Sequence, residues 1–256
     1  MKHFGIIGKP LAQSFSANYF NKKFAEEHID AEYSLYPLEQ IEEFRELVSY
    51  SLGLTATPPT LGGESKGVIF TGMNVTIPYK TAVIPYLTDL DETAREIGAV
   101  NVIRFMPNGR TIGFNTDALG FMESIRPMLR KTDRKALILG TGGAAKACFY
   151  GLRKLGLEAV YVSRTPSAGQ LSYNDLQLSK YDVIVNCTPL GMYPETEKFP
   201  PLPYEQLTQA QFLFDCIYNP EETVFLRHGR EHGCRIMNGM GMLLGQAEAA
   251  WHLWCS

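Results

Sequence analysis

Absent features narrow the class of this protein. The chain has no stretch of the roughly 18 to 20 uninterrupted apolar residues that a membrane-spanning helix needs. It also has no lipidation motif and no secretory h-region or cleavage site in its first residues. Its 24 basic and 27 acidic residues leave a net charge of −3, which disfavours nucleic acid as a partner. We therefore expect a cytoplasmic protein with no membrane and no nucleic acid among its partners.

The cysteine and histidine patterns of a disulfide framework or a metal site are also missing. The five cysteines are odd in number, widely spaced and without a Cys-x-x-Cys pair; they are Cys148, Cys187, Cys216, Cys234 and Cys255. We interpret them as buried structural thiols. His228 and His232 have the i, i+4 spacing of metal ligands, but the glutamate that follows the first histidine in the H-E-x-x-H motif of zinc peptidases and a third ligand are missing. The sequence therefore predicts no metal.

The order of apolar segments in the first half of the chain predicts an α/β domain. A chain of 256 residues with ordinary composition suggests two domains. Strand-like runs alternate here with amphipathic stretches. We predict strands at 4–7, 32–38, 68–77 and 101–105, and helices at 17–28, 39–51 and 79–91.

A second alternating series indicates a doubly wound, Rossmann-type domain. We predict strands at 135–139, 159–163, 181–187 and 212–217, and a helix at 144–155. An apolar, small-residue-rich helix is predicted at 242–254, after a glycine turn. We expect this C-terminal helix to return to the first domain.

A glycine loop between a predicted strand and a predicted helix indicates dinucleotide binding. Gly140, Gly142 and Gly143 follow an apolar run directly, and the helix formers begin at Ala144. Glycine lets backbone N–H groups approach a pyrophosphate, whose charge the positive end of the helix stabilises. Ala145 stands where a third glycine is usual. A tight structural turn is the alternative.

The residues after the second strand of this domain favour NADP(H) over NAD(H). NAD sites place an acid about twenty residues after the glycine loop, where this chain has Ser163, Arg164 and Thr165. A guanidinium matches a 2′-phosphate in charge and geometry. An arginine that merely faces water at a strand end is the alternative.

Lys80 and Asp117 are candidates for a proton-transfer pair. A lysine ammonium can stabilise charge on a forming alkoxide and supply its proton, and a carboxylate can orient the ammonium. Together with a dinucleotide loop, this pair suggests a carbonyl/alcohol dehydrogenase, and a structural salt bridge is the alternative. Ser14 and Ser16, at i and i+2 in a loop, could present two hydroxyls to a carboxylate or could be capping residues.

Several motifs, in order along essentially the whole chain, closely resemble the shikimate dehydrogenase family. They are NVTIPYK at 74–80, GAVN at 98–101, NTD at 115–117 and GMGMLLGQ at 239–246. The resemblance implies reversible NADPH-dependent reduction of 3-dehydroshikimate to shikimate, in the shikimate pathway of aromatic amino acid biosynthesis. It also implies a substrate-binding catalytic domain of residues 1–116 and 240–256, and an NADP-binding domain of residues 117–239.

The same resemblance implies roles for individual residues. Lys80 and Asp117 become the catalytic pair. The expected substrate-binding residues are Ser14, Ser16, Thr76, Asn101, Tyr218 and Gln246. The expected cofactor-binding residues are Gly140, Gly142, Gly143, Ala144, Ser163, Arg164, Thr165, Thr188 and Gly239. Asn74 is expected to hold the backbone of its strand, and the enzyme to be a monomer or a homodimer that needs no metal.

Two departures from the family pattern keep alternatives open. Ser163 replaces the asparagine often found before Arg-Thr, and residues 166–170 carry no second basic group. An NAD-preferring quinate/shikimate dehydrogenase is therefore one alternative. The architecture itself also allows a non-catalytic NADP(H)-binding regulator.

Overall fold

The computed structural model describes residues 1–11, 14–51 and 69–256, which form two compact units. Unit 1 comprises Met1–Thr116 and Ala250–Ser256, and unit 2 comprises Asp117–Ala249. The division predicted from the sequence instead places residues 240–249 with the first domain. The division into a substrate-binding domain and an NADP-binding domain concerns function, and it stays a prediction.

Unit 1 contains a mixed sheet with helices between its parallel strands. Its strands are β1 (Lys2–Gly8), β2 (Ala31–Pro37), β3 (Phe70–Val75), β4 (Asp89–Leu90), β5 (Val102–Phe105) and β6 (Thr111–Phe114). Its helices are α1 (Phe15–Glu26), α2 (Glu43–Ser51), α3 (Tyr79–Ala82) and α4 (Glu92–Ile97). The strand order is β2-β1-β3-β5-β6-β4, with β1 parallel to β2 and β3, and β5 antiparallel to β3 and β6. Parallel neighbours require crossover connections, which α1 supplies between β1 and β2.

Unit 2 contains a parallel, doubly wound sheet. Its strands are β7 (Lys135–Leu139), β8 (Glu158–Ser163), β9 (Leu171–Ser172), β10 (Val183–Asn186), β11 (Phe212–Asp215) and β12 (Arg235–Met237). Its helices are α5 (Asp117–Ile125), α6 (Gly143–Lys154), α7 (Val224–Glu231) and the greater part of α8 (Met240–Cys255). The strand order β12-β11-β10-β7-β8-β9 is the Rossmann order, with its switch point between β7 and β10. The predicted α/β class and Rossmann-type sheet are confirmed.

The last residues of α8 complete the core of unit 1, which confirms the predicted return of this helix. The ring of Trp254 lies 4.9 Å from that of Phe4 and 5.3 Å from that of Phe20, and its Nε1 donates to the Ile103 carbonyl at 3.1 Å. A Cβ at Gly72 would lie 2.1 Å from that Nε1. The absence of a side chain at position 72 therefore makes room for the indole.

Two sequence predictions are wrong. The helix predicted at 79–91 ends at Ala82 and gives way to a 3₁₀ turn at Ile84–Tyr86 and then to β4, because Pro85 lacks an N–H and cannot continue an α-helix. The prediction that the cysteines are buried fails for Cys255, which is exposed at the end of α8, whereas Cys187 and Cys216 are half-buried. Val68, the predicted start of a strand, lies outside the described residues.

A search of the described ranges for a helix with the length and apolarity to span a membrane finds none.

Candidate active site

The glycine loop of unit 2 has the geometry of a pyrophosphate cradle. Gly140 has a φ of 102°, a conformation that favours glycine, and its N–H donates to the Val162 carbonyl at 3.0 Å. Gly142 is the N-cap of α6, and a Cβ on it would meet nothing within 4 Å. The first N–H groups of a helix have no partner within the helix. Gly143 and Ala144 stand in the first turn of α6, a type of position that favours anions.

The predicted 2′-phosphate residues lie at the carboxyl end of the neighbouring strand. Ser163 ends β8, which pairs with β7, and its Oγ accepts from the Thr165 N–H at 3.2 Å. Arg164 is exposed. The carboxyl ends of parallel strands share one edge of a sheet, where dinucleotides bind. Residue 164 thus follows a strand end on the same edge as the glycine loop.

A buried hydrogen-bond network, which the sequence analysis did not anticipate, fixes the segment of Thr188. The Thr188 N–H and hydroxyl both donate to Asn186 Oδ1, at 3.0 and 2.7 Å. Asn186 Nδ2 in turn donates to Asp215 Oδ1 at 3.1 Å. Thr188 therefore has a defined position at the end of β10.

Asp215 anchors the segment that carries Tyr218. Its carboxylate also accepts from the Ile217 N–H at 3.0 Å and from the Thr223 hydroxyl at 2.6 Å. Burial raises the pKa of Asp215 to about 7, against the opposing effect of these hydrogen bonds. Tyr218 is half-buried, and burial raises its pKa as well.

Gly239 packs directly on the backbone after β11. Its N–H donates to the Ile217 carbonyl at 3.0 Å, and a Cβ at this position would lie 2.2 Å from the Cys216 carbonyl oxygen. Any other residue would force the two segments apart. Thr188, Tyr218 and Gly239 therefore all follow the ends of strands on the same edge of the sheet.

Asp117 and Gln246 lie on two helices of unit 2 that cross closely. Both side chains are buried, and Asp117 is in the first turn of α5, where the helix dipole favours a carboxylate. One turn further on, a Cβ at Gly120 would lie 2.7 Å from the Gln246 backbone nitrogen. Gln246 Nε2 donates to the Leu243 carbonyl at 2.9 Å. Glycine at 120 thus permits this crossing.

In unit 1, Asn101 is part of a buried polar network. Its Nδ2 donates to Thr116 Oγ1 at 2.9 Å, and its Oδ1 accepts from the Thr116 N–H at 2.7 Å. Asn74 Nδ2 donates to the Asn101 carbonyl at 3.2 Å, so this side chain holds the backbone just before the neighbouring strand β5. The Tyr33 hydroxyl donates to Asn74 Oδ1 at 2.6 Å. Tyr33 and Thr116 are not among the site residues predicted from the sequence.

The two serines differ in their surroundings. Ser14 precedes α1 in an extended conformation, and its side chain makes no capping hydrogen bond. Ser16 is buried, and its hydrogen bond partly offsets the rise that burial causes in the pKa of Tyr33.

Thr76 and Lys80 follow β3 and lie beside the segment of Asn101. The Thr76 N–H donates to the Ile7 carbonyl at 2.9 Å, and the Lys80 carbonyl accepts from the Val100 N–H at 2.7 Å. Both side chains are half-buried. Unit 1 therefore presents hydroxyl, amide and ammonium groups near the end of one strand.

These features define a protein of the dinucleotide-binding α/β class with a second sheet that carries polar groups suited to a small substrate. Residues 6–103 match the family model of the shikimate dehydrogenase substrate binding domain. The chain is 36% identical to a curated shikimate dehydrogenase (NADP+) of Carboxydothermus hydrogenoformans, over 98% of this chain and 90% of that protein.

Solved structures agree with this similarity. A crystal structure of a shikimate dehydrogenase in complex with NADP+ superposes with a TM-score of 0.85 at 31% identity, over 99% of this chain and 90% of that one. Another, from Thermus thermophilus in complex with NADP(H) and shikimate, gives 0.81 at 28%, over 99% and 93%. The chain belongs to the shikimate dehydrogenase family.

Proposed function

We propose that the protein is an NADP-dependent shikimate dehydrogenase, which reversibly reduces 3-dehydroshikimate to shikimate in aromatic amino acid biosynthesis. The observation that carries the proposal is the 36% identity to a curated NADP-dependent enzyme over 98% of the chain. The glycine loop at the switch point of the parallel sheet supports it independently. We also propose a cytoplasmic location, and a monomeric or homodimeric state.

Lys80 and Asp117 are the proposed catalytic pair. When bound, NADPH supplies a hydride to the carbonyl carbon. The Lys80 ammonium stabilises the negative charge that develops on the oxygen and delivers the proton. The Asp117 carboxylate keeps the ammonium oriented. It also accepts a hydrogen bond from the substrate hydroxyl that this proton transfer forms. These two groups complete the proton transfer, and the proposed reaction needs no metal.

The remaining polar residues hold the substrate. The hydroxyls of Ser14 and Ser16 bind its carboxylate in this proposal. The hydroxyl groups on its ring are held by Thr76, Asn101, Tyr218 and Gln246. Two observations support these assignments. The Ser14 hydroxyl is not used to cap α1, and Asn101 is fixed between Asn74 and Thr116, which pre-organises its segment for a ligand.

The proposed cofactor residues lie along one edge of the sheet in unit 2. Gly140, Gly142, Gly143 and Ala144 would hold the pyrophosphate, and Thr188 and Gly239 would border the nicotinamide. Ser163, Arg164 and Thr165 receive the adenosine end, where the exposed Arg164 favours a 2′-phosphate and hence NADP(H) over NAD(H).

One assay separates this proposal from its alternatives. Purified protein is mixed with shikimate and either NADP or NAD, and with quinate in parallel, and the absorbance of reduced nicotinamide is followed. Fast reduction of NADP with shikimate supports the proposal. Preference for NAD, with turnover of quinate, would identify a quinate/shikimate dehydrogenase, as the missing second basic residue after Thr165 allows. Tight nucleotide binding with no turnover of either substrate would identify a regulator.

A further inference from the structure

Three cysteines that are far apart in the sequence meet in unit 2. Their Sγ atoms all lie within 4.8 Å of one another. Cys216 Sγ is 3.9 Å from Cys148 Sγ and 3.6 Å from Cys187 Sγ. We call Cys148, Cys187 and Cys216 the thiol cluster. No role in the proposed reaction uses it.

Two of the three sulfur separations are close to those of ligands around one metal ion. A metal–thiolate bond of about 2.3 Å puts two sulfurs of a tetrahedral or trigonal site roughly 3.8 to 4.0 Å apart, and Cys216 Sγ lies near these distances from both other sulfurs. The donor set contains sulfur alone. Such sets select soft ions, chiefly zinc and monovalent copper, over magnesium, calcium or manganese.

The fold holds the cluster in place before any ion binds. Cys148 is fully buried in α6. The Cys187 N–H donates to the Leu139 carbonyl at 3.0 Å, and the Cys216 N–H to the Asn186 carbonyl at 2.9 Å. Each of these two cysteines therefore extends the hydrogen-bond ladder by one residue past the end of its strand. Pre-organisation of this kind lowers the entropic cost of binding.

We propose that Cys148, Cys187 and Cys216 bind one soft, thiophilic metal ion through three thiolates. Burial raises the pKa of Cys148 in the metal-free protein, but a coordinating thiol is deprotonated outright by the ion. Binding of one Zn²⁺ thus releases three protons to solvent. Cys187 and Cys216 are half-buried, so an ion can reach the cluster from solvent at these two residues. The bound ion ties the ends of β10 and β11 to α6, and the geometry that points to this site does not depend on the proposed dehydrogenase activity.

A metal titration of the whole, reduced protein tests the site. Zn²⁺ is added in competition with a chromophoric chelator, and Cd²⁺ is added separately to read the ultraviolet charge-transfer band of cadmium–thiolate bonds. We expect one ion per chain, a cadmium–thiolate band, and a higher melting temperature with zinc. Monovalent copper is tested in the same way under anaerobic conditions.

Cysteine variants assign the ligands. Since losing even a partner behind a metal ligand costs about 10- to 100-fold in affinity, Cys187→Ser and Cys216→Ser should each weaken zinc binding by at least that much. Cys148→Ala should act likewise. Cys234→Ser and Cys255→Ser, outside the cluster, are matched controls and should leave binding unchanged.

Two results would overturn the proposal. The first is the absence of tight zinc or copper binding by wild-type protein whose thiols are shown by titration to be reduced. The second is equal zinc affinity in wild type and in any of the cluster variants that keeps the wild-type circular dichroism spectrum. The wild-type titration decides the first point even if a variant fails to fold.

Discussion

Asn186 and Asp215, the last residues of two neighbouring parallel strands, are joined by a hydrogen bond of 3.1 Å from Nδ2 to Oδ1. Asn186 holds Thr188 through two further hydrogen bonds, and Asp215 holds the Ile217 N–H. The pair therefore couples the segment proposed to border the nicotinamide to the segment of Tyr218. Neither residue needs to touch a ligand to position both segments.

Removing the Asp215 carboxylate should destabilise the protein. Asp215→Ala leaves the Ile217 N–H, the Asn186 amide and the Thr223 hydroxyl without their acceptor, and each such buried loss costs about 1 to 3 kcal/mol. We expect a loss of about 3 kcal/mol or more in urea unfolding. Asp215→Asn keeps one oxygen and should cost less. The exposed Asp175→Ala is the control, and an effect there as large as that of Asp215→Ala would contradict this reasoning.

The raised pKa of Asp215 should make stability depend on pH. With a folded-state pKa of about 7 against an ordinary value of 3.8, the folded state holds the proton more tightly than the unfolded state. The contribution is complete below pH 3.8 and is lost as the pH rises through about 7, with a slope of up to about 1.4 kcal/mol per pH unit. Urea unfolding across this range, with EDTA and a reductant, should show a flatter profile for Asp215→Asn. An unchanged profile would refute the shift.

Lys80→Ala should abolish most turnover without affecting the cofactor. Loss of a general acid lowers the rate by about 10²- to 10⁴-fold, whereas NADPH binds to the other unit in our proposal. Stopped assays of shikimate oxidation and fluorescence titration of NADPH measure the two effects. Lys22→Ala, on the exposed face of α1, should retain full activity. A Lys80→Ala enzyme that keeps most of its turnover would rule out this catalytic role.

Ser14→Ala should chiefly raise the Michaelis constant for shikimate. A hydrogen bond to a charged group contributes about 1.5 to 3 kcal/mol, so an increase of about 10-fold or more is expected, with kcat little changed. Initial rates at saturating NADP measure it, with the exposed Ser167→Ala as the control. An unaltered Michaelis constant would place the substrate carboxylate elsewhere.

Arg164→Ala should weaken NADP binding and spare NAD. The guanidinium is proposed to pair with the 2′-phosphate, which NAD lacks, so the Michaelis constant for NADP should rise by about 10-fold or more. The comparison is made with both cofactors and with Arg153→Ala, an exposed arginine at the far end of α6. Equal effects on NADP and NAD would show that Arg164 does not select the phosphate.

Local patterns predicted the parts of the fold that depend on neighbours in the sequence. The glycine loop after β7 and the motif at 74–80 located the candidate site because their function requires particular residues at fixed spacings. The helix α4 was missed although Asp91 caps it through the Thr93 and Ala94 N–H groups and Gly98 ends it with a φ of 67°. Both capping signals are present in the sequence, but the helix between them has only six residues.

Contacts across strands could not be predicted in the same way. The link between Asn186 and Asp215, and the meeting of Cys148 with Cys187 and Cys216, depend on the order β11-β10-β7 in the sheet. Spacing along the chain carries no information on that order. The Cys-x-x-Cys criterion therefore missed the thiol cluster.

The division of α8 between the two units has a consequence during synthesis on the ribosome. Phe4 and Phe20 are made long before Trp254, whose indole covers them. Unit 2, from Asp117 to Ala249, is made in between. The N-terminal unit must therefore wait, with part of its aromatic core uncovered, until the ribosome has passed through unit 2 and reached Trp254.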